Sequence, residues 1–374
     1  MKTPSFLAAA FLLLFFSFKN QAQTIKPGKI WPDNNGVHIN AHGGGMLIHN
    51  GKYYWFGEHK TEGRRGNAAW VGVHCYSSEN LTDWKDEGIA LEVSDDPESP
   101  IVEGCVLERP KVIYNEKTGK FVLWFHLELK GQGYTAAKTG VAVADNVTGP
   151  YTFLEALNPN AGHWPANYPG ELKNKTFSDD LESWSEEWLQ AVKDGLFVHR
   201  DFEKGQMSRD MTLYIDNDGT AYHIHAAEEN LTLHISELNE DYTGFTGKYI
   251  RVLPTGHNEA PSIFKRNGKY YMITSGCTGW DPNAARLLVS DAVMGEWQYV
   301  ENPCVGEDAD ITFDSQSTYV FPVQGEEDAF IFMADRWRPQ NAIDGRYVWL
   351  PVQFKENGMP YLEWMDEWSL GFFE

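Results

Sequence analysis

Three features of this chain predict an all-β fold, a five-bladed β-propeller. A hairpin recurs five times, apolar and polar residues alternate with period two almost throughout, and aromatics suited to sheet packing are abundant. The repeated unit is a strand, a glycine-containing turn and an aromatic strand. It reads MLIHNGKYYWFGE (46–58), KVIYNEKTGKFVLWFH (111–126), MTLYIDNDGTAYHIHA (211–226), SIFKRNGKYYMITSG (262–276) and TYVFPVQGEEDAFIFMAD (318–335). A second strand pair follows each one, over 71–88, 139–153, 231–245, 285–300 and 346–364. Five units of four short strands are the pattern of a five-bladed propeller. With 14% aromatics and 14 Trp, the chain is equipped both for such sheets and for stacking against sugar rings.

Met1–Ala22 has the form of a secretory signal. Lys2 is followed by the apolar run Phe6–Phe18, and Gln21-Ala22-Gln23 offers a small residue for cleavage. The run is short for a membrane span, so no membrane insertion is expected; the product is expected to be exported, periplasmic or extracellular. Residues 23–374 then form the propeller. A stretch at about 155–207 separates the second and third hairpins, too long for an ordinary loop, and its Trp164, Tyr168, Trp184 and Trp188 suit an ordered flap. Within it, Ser183 and Glu186 are spaced as a helix capping box, with Gly195 as the stop. The net charge of −22 repels phosphate backbones and anionic membranes, which excludes nucleic acid as a partner. Cys75, Cys105, Cys277 and Cys304 lack the paired spacing of a zinc site; disulfides and buried thiols both remain open. A monomer is expected.

Aligning the hairpins on their turn glycines exposes candidate functional residues. Nine residues before Gly51, Gly219, Gly268 and Gly325 stand His42, Asp210, Glu259 and Gln316; eleven before Gly119, whose turn is two residues longer, stands Glu108. In a propeller the innermost strand of each blade opens on the central funnel, so these five side chains are expected to converge. Glu259 is the most pointed case. It precedes a proline at the start of a hairpin closed by Asn267-Gly268, where packing has no use for a carboxylate. His42 beside three glycines is a weak metal signal, and Asp216-Asn217-Asp218-Gly219 lacks the glutamate of a calcium loop and reads as a turn. No catalytic metal and no cofactor are expected.

The segments SRD (208–210) and NEAP (258–261), with the hairpin spacing, resemble glycoside hydrolase family 43, whose catalytic module is a five-bladed propeller. NAHGGGMLIHNGKYYWFGE (40–58), LERPKVIYN (107–115), GYTAAKTGVAVAD (133–145), TGWDPN (278–283) and FDSQSTYV (313–320) are similar to its exo-β-1,3-galactanase branch. The resemblance implies an inverting exo-hydrolase that releases galactose from β-1,3-galactan, the backbone of arabinogalactan. Glu259 would be the general acid and Asp210 the group that tunes its pKa. The first-blade aspartate that serves the wider family as base is missing, since Asn40-Ala41-His42 occupies its place. The galactanase branch shares that absence and carries counterparts of Gln316 and Glu108, which compete for the water-activating role. Glu58, His42, Tyr134, Thr278, Trp280 and Asp281 are the expected sugar-binding residues, while Asp335-Arg336-Trp337 reads as a structural tie in the last blade. An α-L-arabinofuranosidase or β-xylosidase of the same family, and a non-catalytic sugar-binding propeller, are the competing readings.

Overall fold

A computed structural model of the chain describes residues 24–374. The signal expected at 1–22 lies outside the described residues. Strands β1 (His42–His49), β2 (Lys52–Glu58), β3 (Gly72–Ser78) and β4 (Lys85–Glu92) form one antiparallel sheet in sequential order. The second is β5 (Val106–Asn115), β6 (Lys120–Glu128), β7 (Lys138–Ala144) and β8 (Thr152–Leu157). The third is β9 (Met211–Ile215), β10 (Ala221–Ala227), β11 (Thr232–Leu238) and β12 (Phe245–Val252). The fourth is β13 (Glu259–Arg266), β14 (Lys269–Ser275), β15 (Arg286–Ser290) and β16 (Gln298–Glu301). The rest of the chain supplies β17 (Cys304–Val305), β18 (Gln316–Pro322), β19 (Phe330–Arg336), β20 (Arg346–Pro351), β21 (Gln353–Phe354) and β22 (Pro360–Glu363).

The all-β expectation holds, but the count of five blades is corrected to six. The last repeat does not close as one four-stranded sheet; β18-β19-β20 form one three-stranded sheet and β17-β22-β21 another. The physical reason lies in the strand ends. β20 ends at Pro351, and although Val352 N still bonds the Phe330 carbonyl at 2.8 Å on the β19 side, no fourth strand is hydrogen-bonded along the outer edge of β20. The following strand material, Pro360–Glu363, is taken instead by Cys304–Val305, with which it pairs in parallel. Such a partner, more than fifty residues upstream, leaves no local mark in the sequence.

The hairpin turns follow their chemistry. Asn267 and Gly268 have φ of 51° and 76°, the two left-handed residues that a type I′ turn requires. Alternate residues of the strands face buried aromatic layers. The largest packs Trp31, Trp55, Trp84, Trp349 and Tyr347 together, with edge-on contacts such as Trp31–Trp349 at 5.0 Å and Trp55–Tyr347 at 4.5 Å. The two ends of the described chain meet at this layer. Ile25 and Trp368 exchange backbone hydrogen bonds of 2.7 and 3.0 Å.

The stretch between β8 and β9 carries two short helices, α1 (Glu186–Lys193) and α2 (Leu196–Arg200). Ser185, not Ser183, caps α1, its hydroxyl accepting from Trp188 N; Gly195, at φ 93°, leads into α2. Trp188, Val192 and Phe197 pack on Leu231, in the turn that joins β10 to β11. Arg251 of β12 donates to the carbonyls of Val192 and Lys193 at 2.7 and 2.8 Å, satisfying the open end of α1. All four cysteines are free thiols.

Candidate active site

Five of the six sheets send the start of a strand toward one end of the central channel. The strand pairing is interrupted directly after His42, Glu108 and Glu259, and again after Ser317. Such bulges kink a strand and re-aim the side chain beside the kink. The residues after the first three are left-handed: Gly43 at φ 59°, Arg109 at 56° and Ala260 at 52°. Gly43 must be glycine on two counts, because a Cβ there would meet Glu58 Oε1 at 2.0 Å. Asp210 sits just ahead of β9, its carbonyl accepting from Ala226 N at 2.9 Å.

The result is a cavity of about 270 Å³ lined by Glu58, Glu108, Arg109, His126, Tyr134, Arg209, Asp210, Asn230, Glu259, Gly279, Trp280, Gln316 and Trp337. Larger spaces of about 620 Å³ open near the hairpin turns at the far ends of the strands; the charged residues of one of them, Glu116, Lys117, Asp216, Asp218, Glu237 and Glu240, belong to turns and strand ends rather than to the strand starts that meet at the channel. The small cavity is where the chemistry is concentrated.

Arg109 is the hub. Its guanidinium donates to Asp210 Oδ2 at 2.9 Å, Gln316 Oε1 at 2.5 Å and the Ser317 carbonyl at 2.9 Å, and it lies over the Trp337 ring. Gln316 in turn donates from Nε2 to Glu259 Oε1 at 3.0 Å and to Ser275 Oγ at 2.9 Å, while Asn230 reaches Glu259 Oε2 at 3.3 Å. Burial, then the neighbouring Asp210 charge, push the Glu259 carboxyl up to about 7, against the opposing pull of Arg109, Cys277 and Gln316. A carboxyl in that range keeps a proton near neutrality and can give it up.

Glu108 is treated in the opposite way. Burial would raise its pKa, but the hydrogen bond and charge of His126, the Lys60 charge and the Tyr134 hydroxyl outweigh it and hold the carboxylate at about 2. Tyr134 donates to Oε1 at 2.7 Å, Asn67 to the same oxygen at 3.1 Å, and His126 Nδ1 faces Oε2 at 3.2 Å. His126 is flanked on its other side by Glu128 at 3.1 Å. Although burial opposes the charge, these two carboxylates lift the imidazole to about 9. Glu128 also accepts from the backbone of Ala136 and Ala137 at 2.8 and 2.9 Å, fixing the loop that carries Tyr134. Glu58, raised by burial, pairs with the buried Lys60 and accepts from Arg109 N at 2.9 Å.

Glu108, His126 and Asp210 present oxygen and nitrogen atoms within 4.8 Å of one another, a spacing that suits a cation. The donor set argues against one. An imidazolium has no lone pair to offer, and Asp210 already faces Arg109.

The structure brings Glu108, Asp210, Glu259, Gln316, Glu58, Tyr134 and Trp280 to this cavity. It does not bring His42, expected to bind sugar. That ring is fully buried, in tilted contact with Trp337 at 5.8 Å and Tyr347 at 5.3 Å, and burial holds it neutral. Gly345 leaves the space that this ring fills, since a Cβ there would lie 2.0 Å from His42 Cε1. Thr278 stays on the outer loop, donating to the Asp281 carbonyl at 2.5 Å, and Asp281 borders only a small adjoining cleft. Trp337, read from sequence as a structural tie, lines the cavity and meets Trp280 edge-on at 5.9 Å. Arg109, His126, Arg209 and Asn230 went unmarked in the sequence reading. For Arg109 a signal existed: an arginine between a strand-entrance glutamate and a proline.

Residues 181–360 match the family model described as glycosyl hydrolases family 43. A solved family 43 β-1,3-galactosidase, in complex with galactodeoxynojirimycin, is 55% identical, with a TM-score of 0.90 over 92% of this chain and 100% of that one. An exo-β-1,3-galactanase from Phanerochaete chrysosporium, solved with galactose, is 30% identical with a TM-score of 0.74, over 93% of this chain and 68% of that one. A β-D-galactofuranosidase of Aspergillus niger is 27% identical over 158 residues, 41% of this chain and 45% of that protein's length.

Proposed function

This chain belongs to glycoside hydrolase family 43, and on that premise we propose that it is an inverting, exo-acting β-1,3-galactosidase that removes galactose from β-1,3-galactan. The observation that carries the chemistry is the contrast between two carboxyls in one small cavity. Glu259 is raised to about 7 and Glu108 is held at about 2. Environments that drive two such groups apart assign the acid and the anion. The choice of sugar rests on the relatives, among them one 55% identical along its whole length.

In this reading Glu259 protonates the glycosidic oxygen as the anomeric C–O bond breaks. A water attacks the opposite face of the ring, and its proton passes to Glu108, the carboxylate kept ionised across the working range. Gln316 cannot take that proton at neutral pH. Its Nε2 is committed as donor to Glu259 and Ser275 and its Oε1 accepts from Arg109, so it serves to hold the water and the acid in place. Asp210 keeps Glu259 protonated, and Arg109 ties Asp210 and Gln316 into one unit. The signal-like sequence at 1–22 supports action outside the cytoplasm on arabinogalactan.

The test is a digest of β-1,3-galactan followed by chromatography and proton NMR within the first minutes. Free galactose appearing first as the α-anomer, with no larger oligosaccharides, is the expected result. Initial β-anomer would mean retention and a covalent or substrate-assisted route. Release of arabinose or xylose from aryl glycosides, with galactan untouched, would overturn the choice of substrate.

A further inference from the structure

The cavity is small for a polymer-degrading enzyme. At about 270 Å³ it is below the usual range for ligand clefts and holds a single sugar residue with little to spare. The remainder of a galactan chain must therefore run across the protein surface. One side of the cavity mouth leads directly to an aromatic patch without an assigned role. Asn230 lines the cavity; the carbonyl of the next residue, Leu231, accepts from His257 N at 3.2 Å, and the Leu231 side chain packs under Trp188 of α1. Trp184 lies against both, 5.4 Å from Trp188 and 5.5 Å from His257 between ring centroids.

Trp184 is 60% exposed, the most exposed Trp among the described large apolar side chains. It is also held in a left-handed backbone conformation, φ 71°, which is strained for a bulky residue. Its neighbour His257 is likewise left-handed at φ 57° and stands two residues before Glu259. Bulky residues held in strained backbone conformations cluster at ligand-binding sites, and here two of them touch beside the acid's own strand. Next to the cavity residue Asn230, Glu229 joins Arg200 and the cavity-lining Arg209 through ion pairs of 2.8 and 3.3 Å. An apolar ring face bordered by hydrogen-bonding groups suits a neutral pyranose, whose C–H face stacks while its hydroxyls are bonded at the edge.

We propose that Trp184 and His257 form a stacking platform for galactose residues of the same β-1,3-galactan chain beyond the two held by the cavity and its mouth. The inference rests on the galactosidase reading. It gives the flap inserted between the second and third sheets a role in chain-length preference. It also makes the flap a part of the substrate path.

The test compares kcat/KM on β-1,3-galactotetraose and β-1,3-galactobiose for the full chain and for Trp184→Ala and Trp184→Phe. The tetraose-to-biose ratio is expected to exceed one in the unmodified protein. It should fall about tenfold in Trp184→Ala and stay within about twofold of the unmodified value in Trp184→Phe, which keeps a stacking face. Calorimetric titration of the tetraose into Glu259→Gln, with and without Trp184→Ala, reads the same loss as binding, independent of turnover. A ratio unmoved by Trp184→Ala, or biose and tetraose falling together, overturns the platform alone. Cleavage of neither oligosaccharide by the unmodified protein overturns the galactan reading and the platform with it.

Discussion

Replacing Asp210 by asparagine should move the alkaline limb of the pH–rate profile to lower pH. Glu259 stands at about 7 against its ordinary 4.5, and after burial the largest cause is the Asp210 charge. A unit charge on the order of 7 Å away, at an effective dielectric near 20, is worth about 2.4 kcal/mol by Coulomb's law. That corresponds to roughly 1–2 pKa units once solvent at the cavity mouth is allowed for. The sign is reinforced by Arg109. Its guanidinium is 2.9 Å from Asp210, and after the substitution its charge remains without that partner and favours ionised Glu259 further. Since the acid works only when protonated, the limb in kcat/KM should move from about 7 to about 5–6. At pH 7 this removes roughly 5- to 50-fold of the rate, whereas at pH 4.5 most of it is retained. The assay is kcat/KM for β-1,3-galactobiose between pH 4 and pH 9. A limb that stays at its original pH while the rate drops at every pH would refute the reasoning and make Asp210 a sugar ligand.

Two further outcomes follow from the same geometry. Glu259→Gln should lower kcat on β-1,3-galactobiose by roughly 10²–10⁴, with a smaller loss on an aryl galactoside whose leaving group needs little protonation; equal losses on both substrates would remove Glu259 from the acid role. Arg251→Leu leaves the fully buried Glu228 without its guanidinium partner, 2.7 Å away, and should cost about 3–5 kcal/mol, read as a fall in unfolding free energy at pH 7. The Glu228 carboxyl is held at about 2 in the fold, where Arg251 and His234 outweigh the effect of burial. A depressed carboxylate stabilises above its unfolded pKa and loses that contribution as pH falls toward its folded one. The gap between the unmodified protein and Arg251→Leu should therefore narrow between about pH 4.5 and pH 2; a gap that is constant down to pH 2 would contradict the assignment.

What could be read from the sequence was what repeats. Turn glycines at equal spacing identify the strand starts, so Glu108, Asp210, Glu259 and Gln316 could be singled out before any coordinates, and the structure brings all four to one cavity. Repetition locates a backbone position, however, and not the direction of its side chain. His42 occupies the equivalent place and is followed by the same kind of bulge, yet its ring lies in the core, in space that Gly345 leaves free: a Cβ there would come within 2.0 Å of His42 Cε1. His126 and Asn230 left no periodic signal, and Arg109 only the local one of its place between a glutamate and a proline, for a related reason. Their roles come from a kink, a cross-strand register and a loop of three left-handed residues, Glu228 to Asn230, none of which is periodic. The sixth sheet was missed because β17 and β22 pair across the intervening β18–β21 segment.

The paired backbone of Ile25 and Trp368 bears on how the active cavity comes into being. The two residues are 343 positions apart (368 − 25), so their contact closes nearly the longest loop the described chain can make. Loop-closure entropy makes such contacts late and collective ones. The cavity residues themselves run from Glu58 to Trp337 and share no local segment. A chain with its hairpins formed but its first and last sheets apart lacks this clasp together with the Gly43–Asp335 and Ala41–Tyr347 hydrogen bonds, and so lacks the closure that holds the reactive side chains at a common centre. Catalytic competence is therefore a property of the closed circle: it should arrive in one step when the ends join, with no partial activity in a part-folded chain.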